Sequence, residues 1–267
     1  DLDGFLNNVM NSVFPNTYSS GVFIDGPDTD RAVFYKHAKI YFVSNIAIPT
    51  PLRDINEFKF YHTESAETLR IFGLHLKASN TQTDRDSRTA EVAELRLVTN
   101  SFPTGKNFIV LGDFNIYGST EAAYQNLLVD NVNDDGNFID QITLTGSWND
   151  IAYAQFHTQS PRVRQFGGGA TGGLDDRFDM ILYSNAVRNP LGVTYVPNSY
   201  LAFGNDGNHF NDSINRPPNT AVSQTIANAL HNASDHIPVI ANFQFMHISL
   251  PVELTSLNAT STNNSII

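Results

Sequence analysis

Phe108-Ile109-Val110-Leu111-Gly112-Asp113-Phe114-Asn115 is the stretch on which the reading of this chain turns. Four consecutive apolar residues read as a short buried strand. Gly112 lets the backbone turn at its end, so that Asp113 and Asn115 emerge at the rim of a sheet. A carboxylate and an amide two residues apart on nearly extended backbone face the same side. The same two residues also suit a plain turn, in which Asp and Asn bond their own backbone.

Two more phrases stand at the edges of apolar strands: Asp176-Arg177-Phe178-Asp179 and Ser234-Asp235-His236-Ile237-Pro238-Val239. With His75 of Gly73-Leu74-His75-Leu76-Lys77-Ala78 they supply carboxylates, an amide and two imidazoles. Metal-assisted hydrolysis of a phosphate ester needs that set of groups. Asp179 sits among Phe178, Met180, Ile181 and Leu182, where an unpaired carboxylate is expensive to bury, so it requires a partner. His236 is a natural one, because a carboxylate fixes the tautomer of an imidazole and stabilises the ring when it takes a proton from water. Asp235 is suited to be a hard oxygen ligand. His75 is either a core histidine on a backbone carbonyl or a second imidazole at the rim, and Lys77 shares its strand face with no role beyond supporting it.

The surrounding pattern is richer in strands than in helices. Strands are expected over 21–24, 31–35, 40–48, 58–62, 68–76, 107–111, 177–183 and 238–245. Helices are expected over 2–11, over 86–102 with Val92, Leu95, Leu97 and Val98 at helical spacing, and over 121–128 behind a Ser119-Thr120 cap. The glycine-rich run 167–173 reads as a loop feeding the strand 177–183, and 203–220 as a surface excursion.

At 267 residues with 41% hydrophobic residues and 19 Phe, the chain has material for one large core, and 16% charged residues is too few for a disordered chain. The reading divides it into a catalytic domain over 1–247 and a connector or tail over 248–267. A net charge of -11 argues against strong general affinity for nucleic acid, although it leaves room for a weakly binding nuclease. The absence of cysteine excludes disulfides and thiolate chemistry. No stretch approaches the roughly 18 to 20 apolar residues of an integral membrane segment.

Taken together, Gly112-Asp113-Phe114-Asn115, Arg177-Phe178-Asp179 and Ser234-Asp235-His236 resemble, in order and spacing, the motifs of the endonuclease/exonuclease/phosphatase superfamily, the DNase I-like proteins. The resemblance implies an α+β fold, a four-layered α/β sandwich of two mainly antiparallel sheets flanked by helices. It implies a Mg2+-dependent phosphoester hydrolase (Mn2+ or Ca2+ being alternatives) acting as a phosphodiesterase or nuclease on DNA or RNA. His236 then acts as general base oriented by Asp179, and His75 serves the leaving oxygen. Asp113 and Asn115 orient the phosphate and metal-bound water, and Asp235 adds to the metal ligands. Asp30 is placed to orient His75, or is a turn residue of Gly26-Pro27-Asp28-Thr29-Asp30. Arg53 is placed near the phosphate, or pairs with Asp54. The family's opening strands, one ending in Asn and the next in Gln-Glu, have no counterpart here. The chain is therefore expected to be truncated at its N-terminus and to lack the principal metal-binding Glu. Leu250-Pro251-Val252-Glu253-Leu254-Thr255-Ser256-Leu257 resembles the connector ahead of sorting modules in secreted bacterial proteins, which implies an extracellular setting. A phosphomonoesterase, a sphingomyelinase-like phospholipid hydrolase and a noncatalytic binding module on the same scaffold stand as alternatives. No protein partner is implied.

Overall fold

The computed structural model describes residues 2–131, 135–190 and 192–246, together with 261–262 and 265–266. At its centre is a six-stranded sheet in the order β3-β4-β5-β6-β8-β7, built from β3 (Ile40–Ile48), β4 (Ile55–His62), β5 (Glu67–His75), β6 (Asn107–Asp113), β7 (Phe138–Ile139) and β8 (Asp179–Ser184). Only β5 and β6 run parallel, and the chain between them forms the longest helix, α3 (Gln82–Asn100). A parallel pair requires such a crossover.

The face carrying α3 and α4 (Ala122–Leu128) holds the larger core. Val92 and Leu95 of α3 pack with Phe72, Leu74, Phe108 and Val110 from the sheet and with Trp148. Both helix residues are fully excluded from solvent, each worth about 1.5–3 kcal/mol of burial. The opposite face packs Leu69, Ile109, Ile181 and Tyr183 against Val193, Tyr195 and Tyr200. The layer covering that face is made of short antiparallel ladders. They are β1 (Tyr18–Ser20) with β2 (Phe34–Lys36), β9 (Val193–Tyr195) with β12 (Phe243–Phe245), and β10 (Leu201–Ala202) with β11 (Val239–Ile240). The fold is thus a mixed α+β arrangement with a central sheet between helices and smaller sheets. Among the described residues no helix is long and apolar enough to cross a membrane.

Several expected boundaries move, each for a local reason. Helix α3 begins at residue 82, because Thr81 and Asp84 form a reciprocal capping box. Leu97 turns away from the core and is 67% exposed, leaving the apolar stripe to Val92, Leu95 and Val98. Helix α4 starts one residue later than expected and without a Ser119-Thr120 cap. Ser119 instead accepts a hydrogen bond from the Gly146 amide, and Glu121 turns inward to Arg88. The strand expected over 238–245 is two strands, since residues 241–242 move the chain from β10 to β9 and bind Val196 and Ser199 on the way. The strands expected over 21–24 and 31–35 are displaced to β1 and β2. The N-terminal segment is helical through α1 (Leu2–Phe5), a π-turn (Leu6–Met10) and α2 (Asn11–Val13). The connector 250–257 lies outside the described residues.

Candidate active site

Strand register assembles the centre of the site. His75 ends β5, Asp113 ends β6 and Asp179 opens β8; His75 is the lateral partner of Asp113, and Asp113 that of Asp179. Lateral partners share a sheet face, so the three side chains form a row at one rim. Gly112 makes the row possible. Its φ is +132°, and a Cβ there would stand 2.0 Å from the Leu74 carbonyl oxygen. Beyond it Asn115 takes a left-handed conformation, which Asn tolerates, and donates its amide N–H to Asp113 Oδ1 at 2.9 Å. The turn and the rim placement therefore coexist. Asn115 is buried and its side chain donates to the Leu76 carbonyl at 3.1 Å, tying the ends of β5 and β6 together.

His236 completes the group. Its Nδ1 lies 2.7 Å from Asp179 Oδ2, and its Nε2 lies 3.7 Å from Asp113 Oδ2. From the other side His75 Nε2 approaches Asp113 Oδ2 at 3.4 Å. Electrostatics drive the two imidazoles apart. Burial lowers the affinity of His236 for its proton, but the hydrogen bond and charge of Asp179, then Asp113 and Asp235, outweigh it and raise the pKa to about 9. For His75, burial dominates and Arg53, Arg31 and His236 add to it, lowering the pKa to about 4. Asp113 is raised to about 6, chiefly by burial, with Asp179 reinforcing and His236 opposing. At neutral pH the rim thus holds one imidazolium and one neutral imidazole facing a shared carboxylate. Titratable pairs pushed apart in this way are what an acid–base site needs.

Other expected residues stand differently. Asp30 does not reach His75. Its Oδ1 accepts the Gly26 N–H at 2.7 Å within the turn, and Thr29 Oγ1 meets His75 Nδ1 at 3.2 Å instead. Arg53 pairs with Asp28 at 2.7 Å rather than with Asp54, and also donates to the Leu76 carbonyl, so its charge still bears on His75 and Asp113. Asp235 turns away to the glycine-rich loop, where its Oδ2 accepts the Ala170 N–H at 2.7 Å. Of the expected metal ligands only Asp113 and Asn115 therefore stay together. Among the described residues no group of three or more His, Asp or Glu side chains is arranged to hold a metal ion. Mg2+ demands a near-octahedral shell of oxygens, so this donor set does not fit an ion held by the protein alone. Lys77 is occupied by Asp84 at 2.9 Å.

Residues 157–160, which show neither strand alternation nor a motif, are the part of the site that sequence reasoning missed. Thr158 Oγ1 accepts the backbone N–H groups of Phe178 and Asp179, at 3.2 and 3.1 Å. The Ile237 N–H donates to the Thr158 carbonyl at 2.9 Å, and the Gln159 side-chain amide lies 2.6 Å from His236 Nε2. This segment locks the Asp179 and His236 strands together. Two fully buried arginines support the rim from beneath: Arg177 makes a bidentate pair with Asp140 at 2.8 and 2.9 Å, and Arg88 clamps Glu121 and the Lys77 and Ser79 carbonyls.

No protein-family model matches the sequence, and no curated protein does. Solved structures do. The human Nocturnin catalytic domain with bound sulfate anion superposes with a TM-score of 0.54 and 16% identity, over 91% of this chain and 78% of that one. The D. rerio TDP2 complexed with single strand DNA product gives 0.53 and 14%, over 91% and 83%. An endonuclease/exonuclease/phosphatase from Bacteroides vulgatus gives 0.52 and 12%, over 92% and 82%. At these identities the likeness is one of fold, and the chain has the mixed α+β fold seen in endonuclease/exonuclease/phosphatase proteins.

Proposed function

We propose that this chain is a phosphoester hydrolase, with a phosphodiester of DNA or RNA as its leading substrate class. The observation that carries the reading is the row of His75, Asp113 and Asp179 on adjacent strand ends, with His236 held on Asp179 at 2.7 Å. Asp179 fixes the tautomer of His236 and leaves Nε2 to exchange a proton with an attacking water. His236 holds its proton tightly, so its base form accumulates only as the pH approaches 9. His75 is neutral at working pH and offers Nε2 to an oxygen at the opposite side of Asp113. A cleft of about 410 Å³ is lined by Tyr117, Asn80, Arg85 and Ser147, and none of His75, Asp113, Asp179 or His236 borders it. The sulfate bound by the Nocturnin neighbour and the DNA product bound by the TDP2 neighbour lend the reading support.

Dependence on Mg2+ and an extracellular setting belong to this proposal. The first rests on the motif resemblance, since Asp113 and Asn115 do not make a metal site by themselves, and the second on the connector sequence. The missing third ligand favours one second reading, a binding module that retains the scaffold. A panel separates them: single-stranded DNA, RNA, a phosphomonoester and sphingomyelin, each with the full chain in Mg2+ and in EDTA. Cleavage of nucleic acid that stops in EDTA supports the proposal. Release of phosphate from the monoester alone moves the substrate class, turnover that persists in EDTA removes the metal, and no turnover on any substrate favours the module.

A further inference from the structure

The nitrogen of His236 that must face the reaction is already taken. Nδ1 is committed to Asp179 at 2.7 Å, which leaves Nε2, and the Gln159 side-chain amide occupies Nε2 at 2.6 Å. The amide suits both states of the ring. Its nitrogen, the atom that stands on Nε2 here, donates to a neutral ring; the imidazolium of neutral pH needs the amide turned over so that its oxygen accepts. The backbone of Gln159 is not free to leave. Its N–H donates to the Asp176 carbonyl at 3.1 Å, and its own carbonyl accepts from Asp175 and Asp176 at 2.9 and 3.1 Å. Its residue is bridged to both Asp176 and His236, and the flanking Thr158 is bonded to Phe178, Asp179 and Ile237. The side chain is half-buried and hangs from this fixed point, so it is able to swing away by rotamer changes alone.

We propose that Gln159 is a positioning residue that holds the reactive nitrogen of His236 until an oxyanion or water displaces it. The inference rests on the phosphoester reading of the site and deepens it. Asp113 Oδ2 stands 3.7 Å from Nε2, beyond hydrogen-bond reach, so the uncharged amide is the group that an incoming oxygen has to displace. The arrangement slows nothing in the chemical step and lowers apparent affinity by the fraction of time the nitrogen is covered.

The test uses the full chain, inorganic phosphate as probe, and the His236 ring nitrogens followed by NMR. In native protein, phosphate shifts the Nε2 resonance as it replaces the amide. Gln159→Ala and Gln159→Met leave the backbone hydrogen bonds in place and are expected to bind phosphate about 5- to 10-fold more tightly, the gain from removing a competitor present most of the time. Gln159→Glu, which puts a carboxylate on the ring, is expected to weaken binding by at least that factor. Equal affinity in native protein and both neutral variants overturns the inference and leaves the phosphoester reading standing, as does weaker binding in both. Phosphate that shifts no His236 nitrogen in any of the proteins overturns both.

Discussion

Replacing Asp179 by Asn tests the electrostatics of the site most sharply. The carboxylate accepts from His236 Nδ1 at 2.7 Å, and both side chains are largely buried, at 17% and 21% exposure. The rise of the ring's pKa from 6.5 to about 9 corresponds to about 3 kcal/mol of preference for the imidazolium, an upper bound because a fifth of the pair is in solvent. Burial pulls the other way, and Asp113 and Asp235 contribute less than Asp179. With the charge at 179 gone, His236 is expected to titrate at or below about 7, a fall of about 2 pH units. The folded ring binds its proton more tightly than the unfolded chain does. The pair's stabilisation is therefore complete below pH 6.5 and is lost as pH rises through 9. Urea unfolding of native protein should show that loss, and Asp179→Asn should flatten it. The assay is a pH titration of the His236 Cε1–H resonance, assigned by its absence in His236→Asn. A ring that still titrates within about half a pH unit of the native value would show that Asp179 does not set its proton affinity.

Three further outcomes follow from the same geometry. Asp113, raised to about 6 mainly by burial, costs stability when ionised, and that cost is relieved as pH falls from 6 toward 3.8. Asp113→Asn keeps the Oδ1 acceptor for Asn115 and should raise urea stability at pH 7.5 by about 1–2 kcal/mol while abolishing turnover; a less stable protein contradicts this. Gly112→Ala puts a methyl group 2.0 Å from the Leu74 carbonyl at a backbone angle L-residues avoid, and should cost at least about 3 kcal/mol in thermal unfolding; an unchanged melting temperature counts against the register. Asp140→Ala strands the buried guanidinium of Arg177 and should cost about 3–5 kcal/mol, with Asp140→Leu/Arg177→Met recovering much of it; a loss below about 1 kcal/mol shows the pair to be dispensable.

What could be read in the sequence was local. The strand ending in Gly112 and Asp113, and the need of Asp179 for a partner, follow from apolar runs broken by polar residues. The structure brings His75, Asp113, Asp179 and His236 together; for His75 the residues alone left a core position open, and its place at the rim was implied only by the family resemblance. Partners set by long-range packing were not legible. Arg177 finds Asp140 37 residues away, and Gln159 finds His236 77 residues away, with no periodicity to announce either contact. Between Thr29 and Asp30 the choice rests on which way one turn faces, and the side chain of Asp235 answers to a glycine-rich loop whose path composition does not specify.

The most direct test of the account is the kcat/KM of native protein and of His236→Ala on a single-stranded DNA phosphodiester, with Mg2+ at pH 9, where the native ring is about half neutral. Native protein is expected to cleave it, and the variant to fall by about 10²-fold or more, the loss expected on removing a general base. Equal turnover by the two proteins would contradict that role for His236.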